Sequence, residues 1–347
     1  MPQPMISVII NTYNYGRFIE DAIDSVLAQD FPAEQMEILV VDDGSIDDTA
    51  ERVKKYGNRV QYFYKQNGDQ ASAVTFGVAR AKGDLLALLD GDDLWFPNKL
   101  SRVAQEFQKD SRVVMVYNQL LFWDSRDDSA WKQNSPEVSG DIIADRLKLL
   151  TYVNAPTSAL AFRRAAFERL SNVPVGRPFS YDLYLAMTAP FLGAIACVPE
   201  ALTKYRVHGG NRHFAGRSEP DMKTIARRIG RQQAALDIIR QWVRLNAPRS
   251  LRPQSRILLR RWRLMQDRDE FLLNAPGRFR FFLHHTRQIR TYSALMTRAH
   301  FAYRCVYALA ILVVGRHAHY LEGVRTRVRT LRARFWCEPS GEIVSKL

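Results

Sequence analysis

Short apolar runs alternate with longer stretches in which apolar residues recur every three or four positions, from Met5 to about residue 210. Runs of the first kind suit strands and the second kind amphipathic helices, so the alternation predicts an α/β domain with a mostly parallel sheet. "ISVIIN" reads as the first strand, and residues 17–29 as a helix with Phe18, Ala22, Ile23, Val26 and Leu27 on one face. "MEILVVDDGS" is a second strand that ends in acids, "DDTAERVKKYG" a helix capped by Ser45 or Asp47, and "RVQYFYK" a third strand. "QASAVTFGVARAKG" is a helix of small residues closed by Gly83, and "DLLALLD" a fourth strand. "FPNKLSRVAQEFQKD" follows as a helix with Pro97 at its first position, then the strand "RVVMVYNQLLFW". Residues 124–141 are polar and read as a long exposed loop. "PTSALAFRRAAF" predicts a strand running into a helix, "SYDLYLAMTAPFLG" a helix, and "IACVPEALTKYRVH" a closing pair of strands. From about residue 220 the pattern is helical and rich in arginine, and no internal repeat is visible.

In a parallel α/β sheet ligands bind at the carboxyl ends of the strands. Three of the predicted strands end in polar clusters there: Asn11-Thr12-Tyr13-Asn14, Asp42-Asp43-Gly44-Ser45 and Asp90-Gly91-Asp92-Asp93. No G-x-G-x-x-G or P-loop accompanies them, which argues against a dinucleotide oxidoreductase or a P-loop NTPase. Ser45, Asp47 and Asp48 suit turn and helix-cap chemistry, whereas Asp42 and Asp43 precede the turn and are candidates for a site. Two like charges at about 4 Å cost roughly 4 kcal/mol at an effective dielectric of 20, so Asp90, Asp92 and Asp93 need compensation. A D-x-D pair can grip Mg2+ or Mn2+ through hard oxygen ligands and share the ion with a diphosphate.

Composition sets the frame for that chemistry. With 46% hydrophobic and 25% charged residues over 347 positions, the chain is that of an ordinary globular protein. Cys197, Cys305 and Cys337 are too few and too scattered for a disulfide framework or a zinc site and suit a reducing compartment. The first residues lack the features of a secretory signal, so a cytoplasmic location is expected. The longest apolar run near the end, "CVYALAILVVG" at 305–315, would span about 16 Å as a helix, short of a roughly 30 Å bilayer core.

The ordered motifs "SVIINTYNYGRFIEDAIDSVLAQ", "EILVVDDGSIDDT", "QNGDQASAVTFGVARAKGDLLALLDGDDLWFPNKL" and "LTKYRVH" resemble family 2, GT-A-fold, inverting glycosyltransferases over about residues 5–210. The resemblance implies a Rossmann-like, mostly parallel sheet flanked by helices, assigned to residues 1–215; the helical, arginine-rich pattern sets off a basic region over 216–347. It implies that Thr12, Tyr13, Asn14, Asp42 and Asp43 hold the base and ribose of a nucleotide. It implies that Asp90 and Asp92 hold a divalent cation and a sugar-diphosphate, and that the helix after Gln70 lines the donor pocket. His208, in "YRVHGGN", resembles the closing YRxH segment, where a His or nearby Arg reaches the metal or diphosphate.

Two departures stand out. Asp69 and Thr75 occupy positions where relatives often carry Gly and Asn, and "FSYDLYL" lacks the usual acidic pair before that helix. Inverting transfer is a single displacement that needs a carboxylate to take the acceptor proton. Asp182, the only carboxylate between Glu168 and Glu200, is the candidate base. Trp95 and Trp131 are candidates for stacking on sugar, with Trp95 equally suited to the core.

The net charge of +14 is unevenly spread: residues 221–347 hold 26 Lys+Arg against 8 Asp+Glu, a net of +18, while the first 220 hold 24 against 28, a net of −4. The arginines interleave with apolar residues at helical spacing and no nucleic-acid motif appears, so nucleic acid is not an expected partner. A solvated helical face and contact with an anionic membrane surface both remain open. The expected protein is thus a metal-dependent inverting glycosyltransferase. It would move a sugar from a nucleoside-diphosphate donor to a glycan or lipid-linked acceptor in cell-envelope polysaccharide synthesis, in the cytoplasm, with contact at the inner face of the membrane left open. A sugar nucleotidyltransferase of similar fold and a catalytically degenerate binding module are the alternatives.

Overall fold

The computed structural model describes residues 5–133, 135, 137–145, 148, 155–171, 178–211 and 222–259. They all fall within the first of two compact units, residues 1–263, so the apolar run at 305–315 and most of the basic region lie outside the described residues. Strands β1 (Ile6–Thr12), β2 (Met36–Asp42), β3 (Gln61–Tyr64) and β4 (Leu85–Asp90) are parallel neighbours in the order β3-β2-β1-β4. Beyond β4 the sheet becomes mixed. Strand β8 (Leu160–Arg163) runs antiparallel to β4 and to β6 (Val113–Asp124), and β9 (Ala194–Val207) runs parallel to β6. The two-residue β5 (Leu94–Trp95) closes that edge antiparallel to β9, and β7 (Ser129–Lys132) pairs with β6.

The continuous apolar runs of β1, β2 and β4 reflect burial on both faces of the sheet. Successive side chains alternate between the faces. Ile9, Leu39, Val41, Leu86 and Leu88 join a core with α3 (Gln70–Val78), α6 (Tyr181–Thr188) and α7 (Met222–Asn246). Val8, Ile10, Val40, Leu85 and Leu89 join the opposite core with α1 (Gly16–Leu27) and α4 (Lys99–Lys109). Helices α2 (Thr49–Lys54) and α5 (Arg164–Glu168) are short connectors. The small residues of α3 let it sit almost on the sheet: a Cβ at Gly77 would come within 2.8 Å of Ile9 Cγ2 and 3.0 Å of Val41 Cγ2. That close seat brings the first residue of α3, Gln70, up to the strand ends.

Three elements differ from the sequence expectation, two of them through partners distant in the chain. Helix α4 starts at Lys99 with Asn98 as its N-cap rather than at Pro97. The reason is that Leu94 and Trp95 pair with β9, the Phe96 N–H donates to the Leu202 carbonyl at 3.1 Å, and the Pro97 carbonyl accepts from Asp30. Residues 124–141 are not one open loop, because β6 runs on to Asp124 and folds back into β7, with Trp131 stacked on Phe122 at 5.6 Å. The expected closing pair of strands is the single strand β9, whose ladder with β6 skips from Val198 to Ala201. Pro199, which has no N–H to give, sits in that skip.

Helix α7, from the basic region, packs by burying Ala235, Leu236, Ile239, Trp242 and Val243 while Arg227, Arg240 and Arg244 stay exposed. No helix among the described residues is long and apolar enough to cross a membrane.

Candidate active site

The carboxyl ends of β1, β2 and β4 open into a cleft of about 360 Å³, a volume suited to a small ligand. Asp90 ends β4, and Gln70 Nε2 donates to its Oδ1 at 2.6 Å. The Gly91 N–H donates to the Asn11 carbonyl, and a Cβ at position 91 would sit 2.9 Å from Thr12 Oγ1, so only glycine lets the acidic turn press against β1. The carboxylates of Asp90, Asp92 and Asp93 lie within 4.8 Å of one another. Burial, then the Asp92 charge, pushes Asp90 up to about 7, and the same desolvation and repulsion hold Asp93 well above the usual carboxylate range.

The three acids are not equivalent. Asp93 is turned inward, with Oδ2 accepting from the Ser158 hydroxyl at 2.5 Å and Oδ1 from the Arg206 N–H at 2.8 Å. Asp90 and Asp92 line the cleft, so they are the two that would hold a divalent cation, and a dication there would offset the repulsion that raises Asp90. His208 lies behind Asp92 and does not line the cleft. Its Nδ1 faces two donors, the Gly210 N–H at 3.2 Å and Arg17 Nη2 at 3.4 Å, which leaves the ring proton on Nε2 to reach Asp92 Oδ2 at 3.0 Å. In that tautomer His208 orients the Asp92 carboxylate rather than offering a lone pair to a metal.

Under the acids lies a buried lysine. Lys99 Nζ, fully shielded from solvent, donates to Asn118 Oδ1 at 2.6 Å, the Ser158 carbonyl at 2.9 Å and Thr203 Oγ1 at 3.0 Å. Trp95 Nε1 donates to the same Ser158 carbonyl, which places Trp95 in the core rather than on a sugar face. Replacing Lys99 by Met takes one hydrogen-bond donor away from each of three buried acceptors. Lys99→Met is therefore expected to lower stability by about 2–4 kcal/mol, read as a lower urea midpoint at unchanged slope.

The nucleotide-side candidates divide in two. Thr12, Tyr13 and Asp43 line the cleft with Gln70, whereas Asn14 and Asp42 do not. Asp42 spends Oδ1 on the Ser45 N–H at 2.7 Å and Oδ2 on the Tyr62 hydroxyl at 2.8 Å. Asn14, in the left-handed region at φ +55°, accepts from the Ile46 N–H and donates its own N–H to Ser45 Oγ, tying the first loop to the second. Asp47 bonds Thr49 and the Gly16 N–H, as turn and cap chemistry requires. Asp43 accepts from Lys65 Nζ at 2.6 Å and from the Gly68 N–H at 3.0 Å.

Asp182 enters the same cleft from the first turn of α6, holding the Leu183 N–H on Oδ1 at 2.8 Å, and its charge contributes to raising Asp90. Sequence reasoning missed Tyr15, Tyr205, Arg228 and Gln232, all of which line the cleft. Arg228 is the only basic side chain among the described residues that do so, and it lies four residues before Gln232 on one face of α7. Asn11 Oδ1 and Thr12 Oγ1 are buried without a hydrogen-bond partner among the described residues, on the wall where a ligand would sit.

The family model "Glycosyl transferase family 2" matches residues 7–171. A glycosyltransferase of Nostoc sp., itself uncharacterized, is 34% identical over 247 residues, which cover 69% of this chain and 74% of the relative. The chain belongs to glycosyl transferase family 2. An uncharacterized glycosyltransferase of Mycoplasma pneumoniae is 32% identical over 256 residues, covering 70% of this family 2 chain and 79% of its own length. Staphylococcus aureus TarS 1–349, solved with UDP-GlcNAc, shares the fold with a TM-score of 0.62 at 19% identity over 92% of each chain. The mannosyltransferase PcManGT of Pyrobaculum calidifontis, solved with GDP-Man and Mn2+, gives a TM-score of 0.55 at 18% identity over 94% of this chain and 87% of its own. The protein is thus a family 2 glycosyltransferase with the GT-A fold, and Asp182, His208 and α7 lie beyond the residues that the family model matches.

Proposed function

We propose that this glycosyltransferase transfers a sugar with inversion from a nucleoside-diphosphate sugar to a hydroxyl of a glycan or lipid-linked acceptor, using a divalent cation held by Asp90 and Asp92. The observation that carries the reading is that Asp90 and Asp92 face the same cleft as the separate carboxylate Asp182. The first two suit a cation, and the third suits a proton. TarS and PcManGT, solved with UDP-GlcNAc and with GDP-Man and Mn2+, support a sugar-nucleotide donor and a divalent cation.

When bound, Mg2+ or Mn2+ would supply positive charge to the departing diphosphate. The protein's own residues do the rest. Thr12, Tyr13 and Asp43 form the wall for base and ribose, and a bound nucleotide would give Asn11 Oδ1 and Thr12 Oγ1 the partners they lack. Asp182 takes the proton of the acceptor hydroxyl as that oxygen bonds to the anomeric carbon and the bond from that carbon to the diphosphate oxygen breaks. Attack opposite the leaving group inverts the anomeric centre. A sugar nucleotidyltransferase is disfavoured because the loop after β1, "NTYNYGRF", lacks a Gly-rich, basic phosphate-binding pattern.

The test is a thermal-shift panel of UDP, GDP, dTDP and CMP sugars with and without Mn2+. A donor present at 100 times its Kd adds about 2.7 kcal/mol, which raises Tm by several degrees in a domain of this size. One base is expected to give that rise with Mn2+ and a much smaller one without it. No metal-dependent stabilisation by any donor would reject the proposal.

A further inference from the structure

Helix α7 lies outside residues 7–171, yet it is bonded to two helix starts that face the cleft, that of α3 with Gln70 and that of α6 with Asp182. Arg231 Nη2 pairs with Asp69 Oδ2 at 3.2 Å and donates to the Phe179 carbonyl at 3.3 Å. The Arg231 carbonyl accepts the Ser180 N–H at 3.2 Å. Asp69 is the N-cap of α3: its Oδ1 accepts the Gln70 N–H at 2.9 Å, and the Gln70 side chain holds Asp90. Ser180 is the N-cap residue of α6, whose first turn carries Asp182. One residue therefore spans the supports of Asp90 and Asp182.

Two further observations single out this pair. Both side chains are about four-fifths buried, so solvent screens the pair weakly. Asp69 also stands at φ +74°, in the left-handed region that glycine enters freely and other residues enter at a cost. This is the position where the resemblance leads one to expect glycine. A strained residue held by a specific partner at the rim of a site points to function rather than to chance.

We propose that the Asp69–Arg231 ion pair sets the placement of Asp182 relative to Asp90, with Arg231 a positioning residue and α7 the wall that completes the cleft. The inference rests on the reading of Asp182 as the base. The pair also fixes Arg228 and Gln232, which flank Arg231 on the cleft-facing side of α7.

The test uses the full chain with Asp69→Asn, Arg231→Gln, the double variant and Arg231→Lys; asparagine tolerates the left-handed backbone and keeps an acceptor for Gln70. With Mn2+ and either UDP-GlcNAc or GDP-Man as the probe donor, donor hydrolysis and transfer are followed, together with hydrogen exchange at the Gln70 and Ser180–Leu183 amides. Each single charge-removing variant is expected to lower kcat about 30-fold, since misplacement by about 1 Å can cost up to 100-fold, while donor KM moves less than threefold. The double variant should lose no more than either single one, because the two residues act as a unit, and Arg231→Lys should recover most of the rate. Exchange should quicken at both helix starts in Arg231→Gln. Unchanged kcat, additive losses, or a change confined to KM would each overturn the proposal. If the wild-type chain turns over neither donor, the choice of donor fails; unchanged exchange in Arg231→Gln would then still refute the positioning role of the ion pair.

Discussion

Asp182→Asn is expected to lower transfer by about 1,000-fold while leaving metal-dependent donor binding intact, within the span typical of a lost general base. The substitution suits the question because Asp182 does two things. Its Oδ1 accepts the Leu183 N–H at the start of α6, and asparagine keeps an oxygen for that bond. What asparagine cannot do is take a proton at neutral pH. The helix start, the cleft shape and the donor wall on the opposite side therefore persist, and only the deprotonation of the acceptor is lost. Steady-state transfer assays beside donor binding by calorimetry separate the two. Retained turnover would move the base elsewhere, and lost donor binding would show that Asp182 holds the donor instead.

The second large effect is expected at Asp92. Asp92→Asn keeps an oxygen for the His208 Nε2–H but removes a charged ligand, so Mn2+-dependent stabilisation by the donor should vanish and kcat/KM fall by about 100-fold or more. The same change should make the metal-free protein more stable. Asp92 is a leading cause, after burial, of the raised Asp90 and Asp93, so its neutralisation lets both return toward ordinary carboxylate behaviour. An Asp92→Asn protein with a higher urea midpoint and lost metal dependence would show a cluster kept for its ligand at the expense of stability. A lower midpoint would mean that Asp92 is a structural acceptor, and preserved metal dependence would place the cation elsewhere.

The strands were legible wherever burial on both faces forced an unbroken apolar run, as in β1, β2 and β4. The acidic turn after β4 was legible because three like charges within four residues have no packing explanation. Harder to read was which polar residue of a cluster faces the cleft. Asp42 and Asp43 are adjacent and chemically identical, yet alternation along the chain sends Asp42 to Tyr62 and the Ser45 turn and only Asp43 to the cleft wall. Asn14 and His208 show the same ambiguity, since a side chain that braces a ligand-binding loop has the composition of one that touches the ligand. Pairings between distant segments were beyond local pattern altogether. The start of α4 depends on Leu202, and the cleft face of α7 depends on Asp69, more than 100 residues away in each case by sequence number.

The close seat of α3 on the sheet has a mechanical consequence. With Gly77 leaving no gap over Ile9 and Val41, the wall that carries Gln70 and Asp90 can move only if β1 and β2 move with it, and Ile9 and Val41 are fully buried in the sheet. The opposite wall, α6 and α7, is joined to the strands by side-chain packing rather than by a backbone ladder, and to the start of α3 by the Asp69–Arg231 ion pair. A cleft built this way has one wall keyed to the sheet, like the fixed jaw of a vice, and under the proposed reaction any fitting to acceptors of different size would fall to the jaw that carries Asp182.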